Sequence, residues 1–262
     1  MKPERTLSPV VVSRLEKAAV DNGFDQELPQ QTGEAGAVEW LGFASTQCPL
    51  RIWLGMTDDK GFVAALSQQN VARALTEFGT IFDGTLPVGA VDGRRVTDIP
   101  ALHHLIRRAF QLSKTLPDEL LHRFMRATGT LPRTTEAERL VVQRVGQDIF
   151  RAGLIDYWDG RCAITGLSIP EMLRASHIKP WADCERDSER LDVFNGLLLA
   201  PHLDAAFDAG LITVMDDGFV KVSSALGKSD LTILSLADAL YVRSLADGHR
   251  SYLSWHRTKV FR

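Results

Sequence analysis

The chain is poor in the features that would place it outside the cell or in a membrane. It has 3 cysteines in 262 residues, Cys48, Cys162 and Cys184, far apart and odd in number. That pattern argues against a disulfide framework, and no CxxC pair is present to grip zinc. No apolar run approaches the ~20 residues of a membrane span. The opening, MKPERTLSPVVVSRLEK, lacks the charged-then-apolar layout of a secretory signal, so the expectation is a cytoplasmic protein with no membrane partner. An excess of one charge is missing too. The formal net charge of −3 gives no global support for nucleic-acid binding, although charge segregated onto one face stays compatible with it. What remains is ordinary globular composition, 45% hydrophobic and 24% charged, long enough for one large or two small domains.

Residues 1–98 read as mixed α and β. Ser8 to Val20 carries apolar residues at helical spacing, and Asp25 to Ala37 reads as a loop. Three short apolar runs follow, Val38–Ala44, Leu50–Met56 and Gly61–Leu66, with the turn signal TDDKG predicting a hairpin between the last two. Trp40 and Trp53 read as packing residues of this domain, with a flipped base between them as the alternative. Thr80 to Arg95 is rich in Gly and Asp and reads as loop. A helical connector over 99–134 comprises Pro100–Lys114, Pro117–Thr128 and a linker, GTLPRTT. Thr135 and Glu138 then form a capping box ahead of a helix through Leu140, Val141, Val145, Ile149, Phe150, Leu154 and Trp158.

The chemistry lies between Gly160 and Val214. LRASHIKPW places a histidine in a short apolar run that ends in a Pro-Trp turn, and a long polar stretch follows. FNGLLLA is a second strand, entered through Asn-Gly. PHLDAAFDAG opens with Pro and closes with Gly, as a short helix does. Asp204 and Asp208 are four apart, so they share one helix face. Two carboxylates there repel unless a cation sits between them, and a hard divalent ion uses one or two carboxylates plus water and phosphate oxygens. The plainer alternative is a solvated helix face. His202 lies about 200° around the helix from Asp204, off that face.

These strings resemble the HNH endonuclease family, the ββα-metal nucleases. The likeness rests on Cys162–Gly166, Ser176–Trp181, Asn195–Leu199 and Phe207–Gly210, with similar flanks at Gln143–Phe150 and Tyr252–Phe261, and covers roughly 138–262. The resemblance implies that His177 is the general base and Asn195 the residue that orients its loop. It implies that Asp204 and Asp208, nine and thirteen residues after Asn195, are metal ligands. Ser176 stands where many members carry an Asp or His ligand and is the third candidate metal ligand, though a poor one. Arg174 and Lys179 are candidates to grip flanking phosphates, or else are simply solvated. Thr165, Ala200 and Leu203 stand where zinc-holding cysteines occur in relatives, so no structural zinc is expected.

The resulting expectation is an α+β protein with an N-terminal recognition or regulatory domain (1–98), a helical connector (99–134) and a C-terminal ββα-metal nuclease domain (135–262). By resemblance it uses one Mg or Mn ion to cut double-stranded DNA, leaving 5′-phosphate and 3′-hydroxyl ends, in restriction or defence, as a homodimer. The competing readings are a signal-activated or structure-specific nuclease, and a nucleic-acid-binding module with a decayed nuclease site.

Overall fold

The computed structural model describes residues 7–29, 38–132, 134–243 and 245–262. Most of the expected loop at 25–37, and Arg133 of the expected linker, lie outside the described residues. The chain divides into two compact units, Met1–Lys114 and Thr115–Arg262.

In the first unit, α1 (Pro9–Asp21) starts at Ser8, whose hydroxyl caps the Val11 N–H, and it buries Leu15, Ala18 and Ala19. A sheet follows, made of β1 (Gln26–Glu27), β2 (Leu41–Ala44), β3 (Arg51–Met56), β4 (Phe62–Leu66), β5 (Thr80–Ile81) and β6 (Asp92–Val96), with α2 (Gln69–Arg73) after β4. The strand order is β1-β2-β3-β4-β6-β5, antiparallel throughout. The TDDKG turn closes the β3–β4 hairpin through Thr57 N to Gly61 O (2.9 Å) and Lys60 N to Thr57 O (2.9 Å). β3 and β4 are buried almost end to end, so both faces of the sheet are covered. Trp53, Val63 and Ala65 form one face's core with Trp40, and Leu28, Val38, Phe82, Leu86 and Ala90 pack around it.

The stretch 80–95 is the predicted loop only at 82–91; both of its ends are strands. β6 pairs with β4 over five residues, from Phe62↔Val96 to Leu66↔Asp92. The strand is hidden by Arg94, a charged residue at a buried position. Its guanidinium donates to the Ala72 carbonyl at 2.9 Å and pairs with Asp92 at 3.5 Å. Long-range partners of this kind leave no trace in local periodicity.

The helical stretch after 98 is shared between the units. α3 (Ile99–Thr115) runs with the first and α4 (Pro117–Thr128) opens the second. Between them Leu116 is extended (φ −61°, ψ 150°), as a residue before proline prefers. α5 (Glu136–Tyr157) begins at the expected capping box: Thr135 Oγ1 accepts from Glu138 N (3.3 Å), and the Glu138 carboxylate accepts from Thr135 N (2.9 Å). Its buried face keeps Phe150, Leu154 and Trp158 of the predicted one and departs from it in the first turns. Leu140 and Val141 are exposed, whereas Val142, Gly146, Phe150, Gly153, Leu154 and Tyr157 are buried. Glycines at 146 and 153 let Trp181 and Leu120 approach the helix backbone where any Cβ would overlap them. A stripe defined by large apolar residues misses such a face.

The rest of the second unit is β7 (Arg174–His177), α6 (Asp187–Arg190), β8 (Gly196–Leu199), α7 (Pro201–Asp208), β9 (Ile212–Val214), β10 (Val220–Val222), α8 (Lys228–Ile233) and α9 (Asp247–Lys259). β7 and β8 pair antiparallel from Arg174↔Leu199 to His177↔Gly196, and β9 and β10 form the hairpin expected at Asp216–Gly218. The strand, long loop, strand, short helix order read from the sequence is therefore the observed one. Arg257 and Asp216 bind each other across it (2.8 Å), so the Arg257 guanidinium serves this hairpin.

Candidate active site

The hairpin β7–β8 and helix α7 bring together the residues singled out above. His177 ends β7, opposite Gly196. Its ring lies flat on Phe150 (centroids 3.8 Å apart, 14° between planes) and meets Trp181 edge-on at 5.8 Å. Nε2 is 2.9 Å from the Arg190 carbonyl oxygen. A carbonyl only accepts, so Nε2 carries the proton and Nδ1 the lone pair. Burial pushes the imidazole pKa down to about 4, against the smaller opposite pull of that carbonyl. The ring is thus neutral at physiological pH, with its tautomer fixed.

Gly196 exists here for space. Its backbone is extended (φ −150°, ψ 148°), so the Asn-Gly pair makes no left-handed turn. A Cβ at 196 would come within 2.5 Å of Phe150 Cζ and 2.7 Å of Leu154 Cδ1. Gly196→Ala is therefore expected to shift the ring on which His177 rests. Thermal unfolding should show a loss of about 1–3 kcal/mol, the usual range for overpacking, accompanied by a fall in any His177-dependent activity.

Asn195 is fully buried. Its Oδ1 accepts from Lys179 N (2.8 Å), and its Nδ2 faces Lys179 O (3.1 Å), Glu189 O (3.1 Å) and Cys184 Sγ (3.4 Å). One side chain thereby ties both ends of the loop between the strands. Other bonds close the same loop: Lys179 Nζ to Glu189 (3.1 Å), Arg190 Nε to Trp181 O (3.1 Å), Arg190 Nη1 to Asp187 (3.0 Å), and Arg190 Nη2 to Cys184 O. The Glu189 carboxylate raises the Lys179 pKa by this bond. The structure so gives Lys179 a partner inside the loop. Arg174 is exposed and, among the described residues, reaches only backbone carbonyls, of Leu173 at 3.4 Å and Glu171 at 3.5 Å.

Asp204 lies in the first turn of α7 and Asp208 at its end. Burial first, and the Asp204 charge second, raise the Asp208 pKa. Ser176, buried, donates to Asp208 Oδ1 at 3.4 Å. His202 is exposed, on the first turn of the same helix. Among the described residues no three His, Cys, Asp or Glu side chains converge as a ready-made metal cage. The donors at hand are thus two coupled carboxylates, with a hydroxyl beside one of them. That set suits a hard divalent cation that keeps most of its shell for water and phosphate; such a cation would relieve the Asp204 charge, which is the lesser of the two causes that raise the Asp208 pKa.

Several supporting residues carried no local signal. Asp192 caps the turn leading to Asn195 through Phe194 N (2.9 Å) and accepts from Tyr252 Oη (2.9 Å) on α9. Burial lifts its pKa to about 6. His256 stacks on Phe207 (3.8 Å, 8°), and its Nε2 lies 3.1 Å from the Phe207 carbonyl in the last turn of α7. Only the flanking strings around Phe150 and Tyr252–Phe261 pointed toward these residues. Cys162, Thr165 and Ala200 also meet in space. Cys162 Sγ accepts from Thr165 N (3.4 Å) and Ala200 N (3.3 Å), and Cys162, Ala200 and Leu203 are buried.

Residues 162–215 match the family described as HNH endonuclease. Comparison with curated proteins finds no match.

Proposed function

Because the chain carries an HNH endonuclease domain at residues 162–215, we propose that it is a metal-dependent endonuclease hydrolysing phosphodiester bonds of double-stranded DNA, with His177 as general base. The observation that carries this reading is the state of His177. It is neutral, its Nε2 proton is committed to the Arg190 carbonyl, and Nδ1 makes no hydrogen bond among the described residues. A ring so held takes a proton from an attacking water at Nδ1 and stays aligned by Phe150 as it does so. Asn195 is a positioning residue, since its bonds fix the loop that supplies the Arg190 carbonyl. Asp204 and Asp208 would hold one Mg or Mn ion, and Ser176 would orient Asp208. When bound, such an ion polarises the scissile phosphate and stabilises the leaving oxygen. Arg174, exposed at the start of β7, contacts a flanking phosphate; Lys179 does so by exchanging Glu189 for it. The products are 5′-phosphate and 3′-hydroxyl ends. A single site per chain cuts both strands as a homodimer. The first unit supplies target recognition, and the setting is cytoplasmic restriction or defence against foreign DNA.

Plasmid cleavage with Mg²⁺ or Mn²⁺ tests the activity. Wild-type protein that binds DNA but leaves it uncut with either ion would favour a binding module whose two-carboxylate shell is too thin. The metal site is tested separately by calorimetric titration with Mn²⁺. Asp204→Ala and Asp208→Ala should each weaken binding at least about tenfold, since each removes one of two anionic ligands. Full affinity in Asp204→Ala would overturn the helix-face site.

A further inference from the structure

An open cleft of about 350 Å³ lies in the second unit beside the base loop. That volume is at the small end for small-molecule sites, about 300–1,000 Å³. Phe124 of α4 and Val142 of α5 form apolar walls; Arg139 and Gln143 line it from α5, and Trp181 and Arg190 line it from the loop. Each group has a use toward one kind of ligand. An indole gives a stacking surface for a heteroaromatic ring. A carboxamide offers both donor and acceptor to a base edge. The Arg139 guanidinium, one N–H of which donates to Thr134 O at 3.3 Å, carries five N–H donors and suits a phosphate. The carboxylate of Asp187, also on the wall, is paired with Arg190 at 3.0 Å and so adds little repulsion. The indole is well held: it packs on Gly146, where a Cβ would overlap it, and the Arg190 guanidinium lies 5.7 Å from its ring centroid.

We propose that this cleft is a nucleotide-binding site, taking one nucleobase against Trp181 with its phosphate at Arg139. The cleft shares its wall with the candidate active site. Trp181 meets the His177 ring edge-on at 5.8 Å, and Arg190, whose carbonyl holds His177 Nε2, lines the cleft with its side chain. An occupant therefore bears on the groups that hold the base. Two sources share the required chemistry: a free nucleotide, and a nucleotide of the bound strand. The effect on cleavage rests on the nuclease reading above; the binding itself does not.

Fluorescence titration of the full chain in EDTA, where cleavage is silent, tests the site. The ligands are deoxyadenosine 5′-monophosphate, inorganic phosphate and a short single-stranded oligonucleotide. Saturable binding of the mononucleotide supports a free-nucleotide site, and binding of the oligonucleotide alone supports a strand subsite. In both cases Arg139→Ala should weaken binding at least about tenfold, and Gln143→Trp, which fills the cleft from a half-buried position on α5, should block it. Circular dichroism confirms that these variants fold. No saturable binding of either nucleotide ligand to wild type, or unchanged affinity in both variants, overturns the proposal. So does inorganic phosphate binding as tightly as the mononucleotide. Protein that cuts DNA yet binds neither ligand refutes this site alone; protein that binds but never cuts refutes the nuclease reading alone.

Discussion

Replacing His177 with alanine is expected to lower plasmid cleavage at least about a hundredfold, the lower end of what a positioned general base contributes. The substitution removes the lone pair at Nδ1 and leaves the carboxylates of α7 in place. It should therefore spare Mn²⁺ binding while turnover falls by that factor, a split that global unfolding would not produce. Equal cleavage by the two proteins would remove His177 from the chemistry. The same variant has a second signature in metal-free protein. Burial holds the folded-state pKa at about 4, below the ordinary 6.5. The unfolded chain thus binds this proton more tightly than the folded one. The group's contribution to stability is complete above pH 6.5 and is lost as pH falls from 6.5 toward 4. In EDTA, the melting temperature of wild type should fall more steeply through that window than that of His177→Ala. Parallel curves would show that the imidazole is not desolvated.

What the sequence discloses and what it hides divide along a physical line. Signals that act within a few residues were legible: the Thr135–Glu138 capping box, the TDDKG hairpin, and the strand, loop, strand, helix order around His177 and Asn195. Asp204 and Asp208 fell on one helix because their spacing of four fixes them there. The features that escaped depend on partners distant in the chain. Arg94 conceals β6 because its buried charge is answered by Ala72 O, 22 residues away. Tyr252 reaches Asp192 across 60 residues, and no local pattern marks either of them. The His177 ring is held by a backbone carbonyl, that of Arg190, which any residue type could supply. Gly146 and Gly196 show a further blind spot. Each matters for the room it leaves a neighbouring ring, whereas pattern reading treats glycine as a turn or a weakness.

Asn195 illustrates how deep such a residue can lie behind an ordinary turn signal, and it carries the second large expected effect. Asn195→Asp keeps the shape and changes one atom's sign. In the wild type Nδ2 points at three acceptors, the carbonyls of Lys179 and Glu189 and the sulfur of Cys184. An aspartate oxygen in that place would face all three with a lone pair, in a site with no exposure to solvent. The remaining oxygen still accepts from Lys179 N. The variant must then either bury an uncompensated charge or take up a proton, and a destabilisation of about 3 kcal/mol or more is expected on denaturant unfolding. Asn195→Ala should cost somewhat less, because it leaves the same partners unsatisfied without adding repulsion. A role confined to turn formation would predict the reverse order, since Asp suits turns far better than Ala. Because the loop that loosens carries the Arg190 carbonyl, the surviving folded fraction should also cut DNA more slowly per molecule. Variants that unfold earlier yet retain wild-type turnover when folded would show that the Asn195 clamp does not position His177.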